Sequence, residues 1–413
     1  MILNQEDRYS FLKSPLIFRI FESSYMKIRT LKVKNSVKEK CVLMLLSNPA
    51  IYDIRPLKEA SCLIKNGYKV AILAWDREGN YPRQTLSNGL FIRRFNLKSL
   101  YGQSIRTVIS FFFYYVWCIL SSSTLNFKAI HCHDVDTLFC GILIKMLRLG
   151  RVKLVYDMHD HPIAFLERFP KSHFLVKVVL AMAKHYTDHV IVVNDGFVKY
   201  LSKMGFQRKK MTVIMNVPPK SECSNFNVVA NRNREKFTIL YYGDIGVQRG
   251  VHKLIEAVKD LKCVELLLAG KGDLVPIVEN LEKKYNNIKY LGWISTSEID
   301  HLVKEADLIP SLYVPDNINN ILASPGKLFT AMEHGVPALV PEGSYQANIV
   351  RKYKCGIVVD MNDMAKVREA IIKLASSPEL CRKLGENGIK TTCELFNWEV
   401  MEQRLSHLYN YLI

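Results

Sequence analysis

The sequence predicts an α/β protein built from two doubly wound domains, and three observations carry that prediction. Short, continuous apolar runs alternate with stretches of helical periodicity from Cys41 onward, the pattern of buried parallel strands joined by helices. A stretch rich in Pro, Asn and charge, residues 218–236, interrupts the alternation near its middle and reads as a linker. Beyond it the alternation resumes with strands that end in glycine, at Gly243, Gly270, Gly272 and Gly292. A chain of 413 residues is long enough for each of two domains to bury its own core.

Residues 1–40 precede the alternation. Ile17, Ile20, Phe21 and Ile28 recur at near-helical spacing among Arg19, Lys27, Arg29, Lys32 and Lys34. That suits a helix lying on an anionic membrane surface, or one docked on the protein with a solvated basic face. The N-terminus lacks the compact apolar core and cleavage site of a signal peptide.

The first domain, residues 41–217, opens with CVLMLLS as a strand, a polar loop, a helix over residues 56–66, Gly67 and the strand KVAILAW. Residues 108–120, VISFFFYYVWCIL, read as a helix too apolar to be solvated all round, so it is buried or partly faces a lipid. The run falls short of the roughly 18 to 20 residues that a spanning helix needs, and the chain is not expected to cross a membrane.

Two strands then end in His and Asp, in AIHCHDVDTLF and KLVYDMHDHP. The imidazoles of His131, His133, His159 and His161 with Asp134, Asp136, Asp157 and Asp160 invite a metal reading. The Asp134 to Asp136 pair, however, stands where a helix N-cap is expected, so no metal is expected here. A helix over residues 174–187 leads to the strand HVIVVND, which ends at Asn194, and MTVIMNVPP closes the domain.

The second domain, residues 237–395, starts with FTILYYGDIGVQRGVHKLIEAV, a strand, glycines and a helix in phosphate-loop order but without the Lys-Ser or Lys-Thr end of a Walker loop. VELLLAGKGD, IKYLGWIS and ADLIPSLY follow as strands. In residues 307–343 an Asp/Asn loop leads to Ser324 as N-cap, with Pro325 and Gly326 in the first turn of a helix that closes at Gly335. Residues 336–340 read as a buried strand. A helix opening from the end of a parallel strand presents N–H groups and a positive dipole end to an anion. Lys327 in that first turn opposes the dipole and is natural as a second phosphate contact. Residues 396–412 form a last amphipathic helix.

With 57 Lys and Arg against 39 Asp and Glu, the net charge of +18 favours an anionic partner: a headgroup, a nucleotide or nucleic acid. The basic residues are spread along the chain with no nucleic-acid module, so nucleic acid is not expected. Ten cysteines without a CxxC pair suggest neither a disulfide framework nor a zinc site, and fit a reducing compartment.

SPGKLFTAMEHGVPALV resembles the donor segment of GT-B glycosyltransferases, and of glycosyltransferase family 4 in particular. The likeness extends over residues 41–413. The turn at Asp53 and Arg55 is similar to the family's Asp-x-Arg turn, VYDMHD to the strand that places a His (here His159) near the reacting sugar, and Arg249 with Gly250 to the basic-Gly pair that opens the second domain. Trp398 resembles the aromatic that starts the final helix, residues 396–413, which in GT-B proteins crosses back to the first domain.

The resemblance implies two facing Rossmann-like domains. It implies a retaining hexosyltransferase that moves sugar from a nucleotide-diphosphate donor to a glycan or lipid-linked acceptor. No metal or cofactor is implied, and the expected place is the cytoplasm, peripheral to an anionic membrane. His159, Arg249 and Lys327 are then the catalytic candidates. Asp53, Arg55, Asn194, Gly243, Gly270, Gly272, Ser324, Pro325, Gly326, Thr330 and Glu333 are the donor-binding candidates.

Two departures stand out. The family's paired Glu positions fall on Leu322 and Thr330, which cannot accept hydrogen bonds as carboxylates do. Asp244 replaces an Arg often found after the first glycine of the second domain. Asp316 or Glu333 are candidate substitutes for the missing acids. The lost carboxylates keep open a non-catalytic GT-B scaffold, and a nucleotide-sugar epimerase is a further alternative.

Overall fold

The computed structural model describes residues 40–51, 53–99, 105–162, 165–166, 169, 172–220 and 235–413. The extension read over residues 1–40 lies outside them except for Lys40, as does the linker at residues 221–234.

Fourteen strands run through the described residues. The first sheet has the order β3-β4-β2-β1-β5-β6-β7-β8. Its strands are β1 (Cys41–Leu46), β2 (Lys69–Asp76), β3 (Gln84–Ser87), β4 (Leu90–Asn96), β5 (Ala129–His133), β6 (Lys153–Met158), β7 (His189–Val192) and β8 (Met211–Val213). β1 pairs in parallel with β2 and β5, whereas β3 runs antiparallel to β4. That exposed edge hairpin carries no strong apolar alternation, and the sequence gives no sign of it.

The helices joining these strands are α1 (Ile54–Lys65), α2 (Ile105–Ser123), α3 (Val135–Leu147), α4 (His173–Tyr186) and α5 (Asp195–Lys203). Burial explains why β1 reads as a continuous apolar run: Val42, Leu43, Met44 and Leu45 are fully covered, as a parallel strand with helices on its faces must be. The expected apolar helix, α2, is split in character. Tyr114, Trp117 and Cys118 are buried, and Tyr114 stacks on Trp75, whereas Val108, Phe112 and Leu120 face solvent.

By its internal contacts the chain separates into two compact units. One is Met1–Val155 with His185–Thr187 and Ile413; the other is Tyr156–Lys184 with Asp188–Leu412, so the division falls inside β6.

In the second unit β9 (Phe237–Asp244), β10 (Val264–Lys271) and β11 (Ile288–Tyr290) form one parallel set. β12 (Ile309–Pro310), β13 (Ala338–Pro341) and β14 (Gly356–Val359) form another. A bridge between Ile239 and Leu308 joins the two. Around them lie α6 (Val251–Val258), α7 (Val275–Lys284), α8 (Thr296–Glu305), α9 (Ile318–Leu322), α10 (Gly326–Glu333), α11 (Tyr345–Tyr353), α12 (Met364–Ala375), α13 (Pro378–Glu394) and α14 (Trp398–Leu412). Their core includes Ile239, Tyr241, Leu254, Leu266, Leu339 and Ile371.

Close backbone approach fixes two parts of this unit. At Gly270, φ is +142° and an added Cβ would lie 1.8 Å from the Gly243 carbonyl oxygen, so β9 and β10 meet without room for a side chain. A Cβ on Gly385 of α13 would lie 2.0 Å from the Gly335 oxygen, and one on Gly388 3.0 Å from Met332 Cα. The last turn of α10 therefore rests directly on the α13 backbone.

α14 begins where the Trp398 N–H donates to the Pro218 carbonyl, 2.7 Å away, and Arg404 reaches the Val213 carbonyl of β8. The last helix thus packs on β8, within the second unit. Among the described residues no helix is long and apolar enough to cross a membrane. Eight of the described cysteines are in the thiol form.

Candidate functional site

The second unit gathers its charged groups at the carboxyl ends of β9 and β12. α10 starts one residue later than expected: Pro325 is the N-cap, and no side chain caps the helix. Ser324 is otherwise engaged, its hydroxyl accepting from Asn194 Nδ2 at 3.2 Å. The N–H groups of the first turn are therefore not satisfied by a capping side chain, and the positive end of the helix is left for an anion.

Lys327 leaves this turn and lies against the tyrosines of β9, its Nζ 4.1 Å from the Tyr241 ring centroid and 5.8 Å from that of Tyr242. Such cation–π contact suits an ammonium, yet burial pushes the Lys327 pKa down to about 7. The positive charge of Arg249 lowers it further, and the Asp244 carboxylate opposes the fall. Gly243 is the gap that admits this side chain, since a Cβ there would stand 3.3 Å from Lys327 Nζ.

Arg249 ends a short 3-10 turn before Gly250, whose φ of +65° opens α6. Its guanidinium lies 4.1 Å from the Tyr313 ring centroid and its Nε 3.2 Å from Asp244 Oδ2. Asp244, where the family often has an Arg, is thus a carboxylate partner of Arg249 and acts on Lys327 as well. With Lys327 protonated, two cations and one carboxylate leave the site net positive. The Asp160 carboxylate raises the Tyr313 pKa, after the larger effect of burial. That brings the segment after His159 within electrostatic reach of this tyrosine.

His159 is 15% exposed, and its Nε2 lies 2.8 Å from Oδ2 of the fully buried Asp157. A buried carboxylate fixes ring orientation and favours a proton on Nε2. Asn194 has a structural position: it caps α5 by accepting from Phe197 N–H, and its amide donates to the Leu322 carbonyl at 2.6 Å. His161 N–H likewise donates to Asn319 Oδ1. The loop carrying α9 is tied at both places.

Thr330 hydrogen-bonds Tyr242, and the charge of Glu333 acts on the same phenol, whose pKa is pushed up to about 12 chiefly by burial. Leu322 and Thr330 therefore supply no carboxylate, and the Asp316 carboxylate is taken by the amides of Asn317 and Asn320. Gly272 packs against Ile245, a Cβ there meeting its oxygen at 2.4 Å, while Gly326 is open with nothing within 4 Å.

In the first unit Asp53 precedes α1 and accepts from Asn48 Nδ2 at 3.1 Å. Arg55, two residues on, is buried. It is 4% exposed and pairs with the fully buried Glu59 at 3.1 Å. Glu59 also lies 3.4 Å from His131, whose ring stacks on His133. The ligand atoms of Glu59, His131 and His133 lie within 4.8 Å of one another. Arg55 already balances the carboxylate there, and a second cation beside a buried guanidinium would be strongly repelled. Asp134 sits at the N-cap of α3 as expected, but makes no side-chain cap bond. Asp136, in the first turn, accepts from Ser47 Oγ.

The family described as Glycosyltransferase Family 4 matches residues 58–217, and Glycosyl transferases group 1 matches residues 225–391. The chain is 24% identical over 303 residues to EpsD of Bacillus subtilis strain 168, named as a glycosyltransferase, covering 68% of this chain and 76% of that one. It is 23% identical over 315 residues to the uncharacterized glycosyltransferase MJ1178 of Methanocaldococcus jannaschii, covering 70% and 86%. Sucrose-phosphate synthase of Thermosynechococcus elongatus superposes with a TM-score of 0.72 at 18% identity, over 90% of this chain and 99% of that one. Anabaena HepE, solved with UDP, superposes with a TM-score of 0.67 at 14% identity, over 90% and 99%.

Fold and matches together define a GT-B glycosyltransferase with two Rossmann-like domains. Among these enzymes the chain resembles glycosyltransferase family 4.

Proposed function

We propose that the chain is a retaining hexosyltransferase that binds a nucleotide-diphosphate sugar and transfers the sugar to a glycan or lipid-linked acceptor at a membrane surface. The observation that carries this reading is the start of α10, uncapped by any side chain, with Lys327 and Arg249 beside it and Asp244 as their shared carboxylate. Such a site is built for more negative charge than the protein itself supplies there. The nucleotide-bound neighbours, HepE with UDP and with UDP-glucose, support a nucleotide-diphosphate donor.

In this reading the diphosphate lies against the N–H groups of Gly326 and Lys327, with the two cations on its oxygens. Their field stabilises the charge that builds on the leaving phosphate as the sugar becomes oxocarbenium-like. His159, oriented by Asp157, positions a sugar hydroxyl, and the leaving phosphate receives the acceptor proton. The chain's own cations then do what a metal would, so no metal is required.

A second reading is a donor-binding scaffold without turnover, favoured by the absence of a carboxylate at Leu322 and Thr330. A panel of nucleotide sugars scored by thermal stabilisation, followed by transfer assays in EDTA, separates the two. A diphosphate donor is expected to raise the Tm, because it binds only the folded state, and transfer is expected to survive EDTA. Stabilisation without turnover on any acceptor selects the scaffold. If no nucleotide sugar shifts the Tm, or if transfer needs an added divalent ion, the proposed chemistry is wrong.

A further inference from the structure

The N-terminal edge of the first unit's sheet lies opposite the carboxyl ends of the strands, where open α/β sheets bind ligands, and it carries a row of lysines. The Lys69 N–H donates to the Lys40 carbonyl at 3.0 Å, the Lys128 N–H to the Cys41 carbonyl at 2.8 Å, and the Lys153 N–H to the Lys128 carbonyl at 2.9 Å. These bonds open the ladders of β2, β1, β5 and β6. They place Lys69, Lys40, Lys128 and Lys153 on neighbouring strands, about 4.8 Å apart per strand. All four are exposed.

The turn from α3 into β6 reaches the same edge, because Lys153 starts β6 only six residues after Leu147 ends α3. It projects Leu147, 66% exposed, and Leu149, 78% exposed. Leu149 holds a φ of +52°, a left-handed conformation in which a branched apolar residue is uncommon. The turn is also tied down, as Arg148 donates to the Ser122 and Leu125 carbonyls at 2.7 and 3.0 Å. Two large apolar side chains are thus presented from a fixed turn beside a line of positive charge.

We infer that this edge docks on an anionic lipid bilayer, with Leu147 and Leu149 entering the interface and the lysine row facing headgroup phosphates. Charge complementarity selects an anionic surface, and the projecting leucines select a bilayer over a nucleic acid, which offers them no apolar phase to enter. The inference goes beyond the proposed function and does not need it: the docking edge lies away from the ligand end of the sheet, and docking is measured independently of donor binding.

The test is co-sedimentation of the full chain with phosphatidylcholine vesicles, with and without phosphatidylglycerol. Binding is expected only with phosphatidylglycerol and is expected to weaken as salt rises. Leu147→Ser with Leu149→Ser, and separately Lys40→Glu with Lys128→Glu, should each lower the partition coefficient about tenfold or more. Both pairs should leave the Tm and the shift given by a nucleotide sugar unchanged, since all four side chains are exposed.

Absence of vesicle binding overturns the inference. So does binding indifferent to lipid charge, or anionic binding that neither double variant weakens, which would assign it to another surface. Vesicle binding with no nucleotide-sugar shift would leave the docking edge standing and remove the transferase reading; the converse result would do the opposite.

Discussion

Lys327→Met is expected to lose the thermal stabilisation given by a nucleotide-diphosphate sugar while leaving the unliganded protein at least as stable as wild type at pH 6. A charge-assisted contact to phosphate contributes about 1.5 to 3 kcal/mol, so donor affinity should fall about ten- to a hundredfold. Stability moves the other way because the lysine is perturbed before ligand arrives. Its folded pKa of about 7 lies below the ordinary 10.5. Between those two values the unfolded chain binds more protons than the folded one, so wild-type stability rises with pH through that window. Below about pH 7 the ammonium is charged in both states, and its desolvation in the folded protein is a standing cost that methionine removes. The stabilising effect of Lys327→Met should therefore be greatest at pH 6 and fade towards pH 10.

Donor affinity should carry the same signature. A diphosphate favours the charged lysine, so above pH 7 binding must draw in a proton and should weaken by up to about tenfold per pH unit. Calorimetry in buffers of different ionisation enthalpy reads that uptake directly. Arg249 helps to hold the lysine pKa down, so Arg249→Gln should lose a comparable share of affinity and move the onset of proton uptake to higher pH. Donor binding by Lys327→Met at wild-type strength, with the same pH dependence, would remove the phosphate clamp.

Gly270→Ala is expected to abolish folding or cost more than about 4 kcal/mol in urea unfolding, whereas Gly326→Ala should be neutral or stabilising by about 0.4 to 1 kcal/mol. Both glycines look alike in sequence, each being a donor-binding candidate. At Gly270 a methyl group would lie 1.8 Å from the Gly243 oxygen and 2.8 Å from its carbonyl carbon, and φ is +142°. No side chain can rotate away, because the obstacle is backbone of the adjacent strand. Gly326 opens α10 with nothing within 4 Å of the place a methyl group would take, and alanine there mainly restricts the unfolded chain. A Gly270→Ala protein that unfolds at the wild-type urea concentration would show that β9 and β10 separate more easily than their packing implies.

The order of elements is legible in the sequence because parallel strands covered on both faces leave continuous apolar runs, as in β1 and β10, and glycine marks the ends of helices, as at Gly335. What each charged residue does is less legible, because its partner is distant in the chain. Lys327 reads in sequence as a solvated phosphate contact. Its depressed pKa depends on Tyr241, Tyr242 and Arg249, which arrive from β9 and the turn after it. Asn194 reads as a donor ligand, yet its amide holds the Leu322 carbonyl, 128 residues away. Arg55 reads as a donor-binding candidate, and only the fold shows that Glu59, one helical turn on, is fully buried with it. Local pattern decides which face of an element is apolar; it does not say which polar groups meet across elements.

The glycines of α13 give the start of α10 a mechanical dependence on its far end. With Gly385 and Gly388 seated on the Met332–Gly335 backbone, α10 behaves as a short rigid rod clamped at one tip. Lys327 rides near the other tip, about 8 to 12 Å away at 1.5 Å per residue. A methyl group inserted at the clamp cannot be absorbed by a side-chain rotamer, so it must tilt or slide the rod, and the displacement is carried to the lysine and the N–H groups beside it. Substitutions at Gly385 and Gly388 would thus act as remote lesions of ligand binding: they would change how the anion-facing tip is aimed while leaving every group at that tip chemically intact.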